Sequence, residues 1–127
     1  MDKKPSEYIT EFLNFVTEAR IQHKFYSEEV VKQDKLTQDY LHSLELDGLK
    51  CSERSKIATK IVTNRKDRRY FKNKVEELEP IIKLFEDQHA QRVLNQMTQV
   101  LGQTRKIESY HKHGKYKPRV LKEKKDE

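Results

Sequence analysis

The sequence has little of what makes turns, cross-links or a thick core. Glycine and proline occur three times each in 127 residues, and tryptophan is absent. Reversals of the chain are therefore few. The single cysteine, Cys51, excludes an intramolecular disulfide framework. No apolar run approaches the roughly 20 residues that a membrane span needs. The opening Met1-Asp2-Lys3-Lys4-Pro5 lacks the apolar stretch of a secretion signal, so a cytoplasmic home is the expectation. There is no glycine-rich phosphate loop and no nucleophile elbow. Hydrophobic residues make up only 34% of the chain, while charged residues reach 38%. That balance disfavours a thick globular core. Long helices suit it, because each needs only a narrow apolar stripe.

The charge is unevenly placed. The formal net charge is +6, yet residues 1–50 carry 7 basic and 10 acidic side chains, and residues 75–104 carry 2 and 5. The cations gather in residues 54–74, with 9 basic and one acidic, and in residues 105–125, with 9 and 2. Such asymmetry points to polyanions, acidic partners or internal ion pairing.

Apolar residues recur at three- and four-residue steps from Ile9 through Phe12, Val16, Ala19, Tyr26 and Val30 to Leu44, with polar interruptions at His23, Gln33 and Thr37. The spacing predicts one helix over about 5–46, roughly 60 Å long at 1.5 Å per residue. Ser27 followed by two glutamates offers a break near Tyr26, but the seam keeps its phase there. Asp47-Gly48-Leu49-Lys50-Cys51 is the clearest turn, with Gly48 as C-terminal cap and Ser52 as the next N-cap. A second helix, 52–79, follows with seam residues Ile57, Ile61, Asn64, Arg68, Phe71, Val75 and Leu78. Pro80 predicts a kink or a new helix over 80–109, with Ile82, Phe85, His89, Val93, Met97, Val100 (or Leu101), Thr104 and Ile107 as its apolar face. Residues 111–127 read as a basic extended or disordered tail.

The expected fold is all-α. A long antiparallel αα-hairpin is extended into a three- or four-helix coiled-coil-like bundle over residues 1–110, with a basic C-terminal arm. Counting outward from the 47–51 turn sets Ile57 near Tyr40 and Leu41, Phe71 near Tyr26, and Phe85 near Phe12 and Leu13. So many polar seam positions leave a lone hairpin thinly stabilised. A third helix or a homodimer is expected to cover the seam.

The most distinctive stretch runs from Asn64 to Lys74. At about 100° per residue, Arg54, Arg65, Arg69 and Lys72 share one side of the helix, and Arg68 falls within the seam. Such a face can grip phosphates, because arginine forks bind them bidentately. It can equally be a solvated face paired with Glu28, Glu29 and Asp34 of the first helix, with Arg68 a half-buried charge that sets register. In the tail, Lys115, Tyr116, Lys117 and Arg119 suit an arm that lies along nucleic acid or orders on a protein partner.

Catalytic and metal signals are near misses. Asp39-x-x-His42 and Glu86-x-x-His89 have carboxylate–histidine spacing, but His42 lies off the seam, His89 lies on it, and the two are far apart in the hairpin. His89 and His23 read better as satisfied interface histidines. His111-x-His113 has no cysteine nearby. Glu76-Glu77-x-Glu79 lacks a second acidic pair and reads as an exposed face. Cys51 reads as a turn residue. No enzyme, cofactor or metal site is expected.

Lysine outnumbers arginine 19 to 8, a bias of low-GC coding genomes. The stretches Asp39-Tyr-Leu-His-Ser-Leu-Glu-Leu46, Arg65-Lys-Asp-Arg-Arg-Tyr-Phe-Lys-Asn-Lys74 and Tyr116-Lys-Pro-Arg-Val-Leu121 make the chain resemble the small helical accessory proteins of phages and mobile elements of low-GC Gram-positive bacteria. That resemblance implies a binder or regulator acting on host or phage machinery, and it transfers no site residues. Two functions stay open: a protein that engages nucleic acid or a nucleoprotein complex, and a protein–protein adaptor or inhibitor without nucleic-acid contact.

Overall fold

The computed structural model describes residues 2–114. They form three α-helices, α1 (Pro5–Leu46), α2 (Cys51–Glu86) and α3 (Gln88–His113). No helix among the described residues is long and apolar enough to cross a membrane.

Helix α1 is unbroken through Tyr26 and Ser27. Pro5 opens it, where a missing N–H costs nothing, and Glu7 stands in its first turn at the positive end of the helix dipole. The first turn is also capped from a distance. Glu108 of α3 accepts the Ser6 backbone N–H at 3.2 Å and the Ser6 hydroxyl at 2.6 Å. At the far end the Asp47 N–H donates to the Ser43 carbonyl at 3.2 Å. Gly48 then takes φ +56°, the left-handed conformation that a side chain resists.

Cys51 belongs to α2 rather than to the turn, and Ser52 is not its cap. Lys50 occupies that position in extended backbone, without a side-chain cap bond. The first six residues of α2 are exposed, so water can satisfy their free N–H groups.

The two long helices pair antiparallel in the register that the apolar spacing predicts. Tyr26 meets Phe71 with ring centroids 6.0 Å apart, and Phe12 meets Phe85 edge-on at 5.9 Å. The polar seam positions are matched as well. Asn64, 2% exposed, donates from Nδ2 to the Gln33 side-chain oxygen at 2.8 Å and to the Gln33 carbonyl at 2.9 Å. The Thr37 hydroxyl donates to Asn64 Oδ1 at 2.5 Å. His23 Nε2 lies 2.7 Å from Glu79 Oε2, and Arg68 Nε donates to Asp34 Oδ1 at 2.5 Å. Among the described residues, every buried side-chain nitrogen and oxygen has a partner.

Two helix boundaries differ from expectation. Helix α2 runs through Pro80 to Glu86, and the chain turns at Asp87 instead. The proline ring deprives the Glu76 carbonyl of its partner. Both residues are exposed, so water can take that carbonyl, while half-buried Leu78, Ile81, Ile82 and Phe85 hold the turn in place. At the corner, the free Phe85 carbonyl accepts Gln91 Nε2 at 2.6 Å and the Arg20 guanidinium at 3.2 Å. All three helices therefore meet at one oxygen. Helix α3 also continues past residue 109 to His113, so residues 111–113 are not part of an extended tail. His111, Lys112 and His113 suit the negative end of the helix dipole, and Gly114 ends it.

The inward face of α3 is set by Leu94 and by Leu101, the alternative to Val100 at that seam position. Leu94 and Leu101 are its buried residues, whereas Val93, Val100 and Ile107 of the expected seam are 40%, 46% and 56% exposed. The two rows lie about 100° apart on one helix, and both repeat every seven residues. The core is thin, as composition requires. Val16 and Ala19 are its most buried apolar residues, at 3% each, and no large side chain among the described residues is fully buried.

Candidate nucleic-acid interface

Asp34 decides how much of the 54–74 charge is neutralised within the fold. It takes the half-buried Arg68 at 2.5 Å and reaches Arg65 only at 4.0 Å. Glu28 and Glu29 were expected opposite the same segment, yet neither forms an ion pair among the described residues. Measured from buried Gln33, which bonds Asn64 of α2, Glu28 is turned about 140° round α1 and is exposed, whereas Glu29 is only about 40° away and half-buried. Glu28 instead lines an outward groove on α1 with Lys32, Lys35 and Asp39.

The predicted face is therefore split by role. Arg68 is a register pin, and its charge is spent inside the hairpin. Arg54, Arg65 and Arg69 are exposed on one flank of α2. Their line, with Lys72 at its end, spans roughly 27 Å at 1.5 Å per residue, enough to follow several successive phosphates. Lys72 is half-buried and rims a shallow groove with Lys83, but Glu76 and Glu79 rim it too. Those carboxylates make Lys72 the least suited of the four to an anion. Lys115, Tyr116, Lys117 and Arg119 lie outside the described residues.

A second cationic flank was missed in the sequence reading. Lys66, Tyr70 and Lys74 stand at successive four-residue steps on the other side of α2. Lys74 Nζ lies 5.5 Å from the Tyr70 ring centre and 3.8 Å from Glu77. Tyr70 is half exposed and ends a row of rings that crosses the hairpin through Phe71, Tyr26 and Phe25. The i, i+4, i+8 spacing of the three residues was the available signal. Phe71 itself is held within the hairpin against Tyr26, as its seam position implies.

The other chemical groups are tied into the scaffold or stand apart. Glu79 is engaged by His23 and Glu77 by Lys74, so Glu76–Glu79 is not wholly an exposed acidic face. The His23 hydrogen bond holds the Glu79 carboxyl below the ordinary carboxylate range, and Ser6 does the same for Glu108. His89 is exposed rather than an interface residue. Glu86 and His89 fall on opposite sides of the Asp87 corner, so they no longer share a helix face. Among the described residues, no group of three or more His, Cys, Asp or Glu is placed to hold a metal ion.

Comparison of the chain with protein-family models, with curated proteins and with solved structures finds no match.

Proposed function

We propose that this chain is a non-enzymatic binding protein that engages nucleic acid, or a nucleoprotein complex, through the exposed cations of α2 and the basic segment 105–125. The observation that carries this reading is the charge surplus on α2. Asp34 is the one acid of α1 that pairs with the basic segment among the described residues, and it takes Arg68 with Arg65 at its edge. Arg54 and Arg69, with Lys56, Lys60 and Lys66, are exposed and form no ion pair among the described residues. Concentrated unpaired cations on a rigid helix raise the local density of phosphate and steer its approach. Tyr70 beside Lys66 and Lys74 adds a ring on which an unpaired base can stack.

The test is fluorescence anisotropy with short labelled duplexes and single strands at low salt. The wild-type chain is expected to bind. A variant carrying Arg54→Gln, Arg65→Gln and Arg69→Gln is expected to bind at least about tenfold more weakly while keeping its helix content. Absence of binding to every probe at low salt refutes direct nucleic-acid contact.

A second reading, a protein–protein adaptor or inhibitor, is favoured by one observation. Tyr8, Ile21, Phe25 and Leu84 are each more than half exposed in a chain with little apolar surface to spare. Its mark is a stoichiometric complex with one protein that survives nuclease treatment.

A further inference from the structure

Helix α3 has two apolar rows, and the fold buries only one of them, with Met97 and Thr104 half-buried at the border between the two. Leu94 and Leu101 are buried against the hairpin. Val93, Met97, Val100, Thr104, Ile107 and His111 form a second row at steps of four, three, four, three and four residues. That alternation is the spacing of a coiled-coil seam. The valines and the isoleucine of this row are 40–56% exposed.

Up to Thr104, the helix that carries the row is almost without charge. From Gln88 to Thr104 the only charged residue is Arg92, in a chain of which 38% is charged. Glutamines and an asparagine fill the intervening positions. Depletion of charge around exposed apolar side chains is the compositional mark of an interface centre. It also narrows the choice of partner. Two copies of a chain with net charge +6 repel each other, and a neutral face is where they can approach most closely. A charged foreign partner would instead call for complementary charges beside the row, which this stretch does not offer.

The ends of the helix set the orientation. The acidic pair Glu86 and Asp87 precedes α3, while Arg105, Lys106 and Lys112 occupy its C-terminal end, where the one acid, Glu108, is turned to Ser6 of α1. Two parallel helices would stack like charge on like charge at both ends. Two antiparallel helices lay the basic end of each beside the acidic corner of the other.

We propose that α3 is the homodimer interface, pairing antiparallel with α3 of a second copy so that Val100 packs between Met97 and Thr104 of that copy. The interface lies apart from the α2 cations and stands or falls independently of nucleic-acid binding. It removes Val93, Val100 and Ile107 from water and leaves both cationic flanks of each α2 available.

Sedimentation equilibrium of the full chain, with and without substitutions, tests this. The wild-type chain is expected to be a dimer at micromolar concentration. Val100→Glu brings two carboxylates together at the centre and is expected to raise the dissociation constant by more than about tenfold, with helix content by circular dichroism unchanged. Val62→Glu, at an equally exposed valine on α2, is expected to leave the dimer intact. Orientation is read by a short bismaleimide cross-linker in a Cys51→Ser background. Val93→Cys and Ile107→Cys chains are expected to link when mixed, and neither is expected to link to itself. A wild-type monomer throughout the accessible range overturns the proposal. So does a dimer that tolerates Val100→Glu, or one in which Val93→Cys links to its own kind.

Discussion

Asn64 is the residue on which the pairing of the two long helices depends most. Removing its side chain with Asn64→Ala deletes the bonds to the Gln33 side-chain oxygen and carbonyl and the one accepted from Thr37. Gln33 is itself buried, so its amide oxygen is left in an apolar seam with no donor and little access to water. Thr37 loses less, because its hydroxyl also lies 2.9 Å from the Gln33 carbonyl and can donate there alone. A net hydrogen bond is worth about 1 kcal/mol, and a stranded buried polar group costs about 1–3 kcal/mol, so the expected loss is about 2–4 kcal/mol. For a chain of this size, that corresponds to a fall in melting temperature of about 10 °C. Gln33→Ala should cost less, because Asn64 keeps its bond to the Gln33 backbone. The double variant should then show a coupling of about 1 kcal/mol. Urea unfolding followed by circular dichroism gives all three values. A loss below about 0.5 kcal/mol for Asn64→Ala, or zero coupling, refutes the claim that matched polar groups set the register.

Other substitutions probe the remaining joints. Asp34→Asn strips the half-buried Arg68 of its counter-charge and is expected to cost about 1–2 kcal/mol in the same urea assay, more than an exposed pair is worth and less than a fully buried one. The same change, glycine to alanine, should act in opposite directions at two sites. Gly48→Ala should destabilise by about 1 kcal/mol, because Gly48 is left-handed, whereas Gly102→Ala, in open space within α3, should stabilise by about as much. Differential scanning calorimetry reads both. Glu79 and Glu108 have folded pKa values lowered from 4.5 by His23 and Ser6, so the stability they contribute is complete above that value and is lost as pH falls through the lower folded values. Melting temperature measured across the acid range should therefore drop more steeply for the wild type than for Glu79→Gln with Glu108→Gln.

The hairpin was legible because two seams and a short turn fix a register between them. Once Gly48 marks the reversal, Phe71 must meet Tyr26 and Phe85 must meet Phe12. The polar interruptions were visible as positions but not as pairs. Periodicity places Gln33 and Asn64 each on its own seam, and only the shared register shows that they bond. Pro80 misled because a proline's cost depends on whether the carbonyl it orphans is wet, which a sequence does not record. The face of α3 misled for a related reason. Val93, Val100 and Ile107 share the seven-residue repeat of Leu94 and Leu101, and the Asp87 corner determines which row turns inward. In the basic segment the arginine flank could be seen from spacing. That Asp34 faces Arg68 while Glu28 turns away follows from the rotation of α1, and that rotation sets how much charge remains outside.

That remaining charge is measured most directly by the salt dependence of binding to a duplex. If Arg54, Arg65, Arg69 and Lys72 contact phosphates, replacing all four with glutamine should make the plot of log affinity against log salt shallower by about 3–4 units, at about 0.9 per contact. An unchanged slope, or no binding by the wild-type chain at low salt, would contradict the assignment of α2 as a polyanion-binding surface.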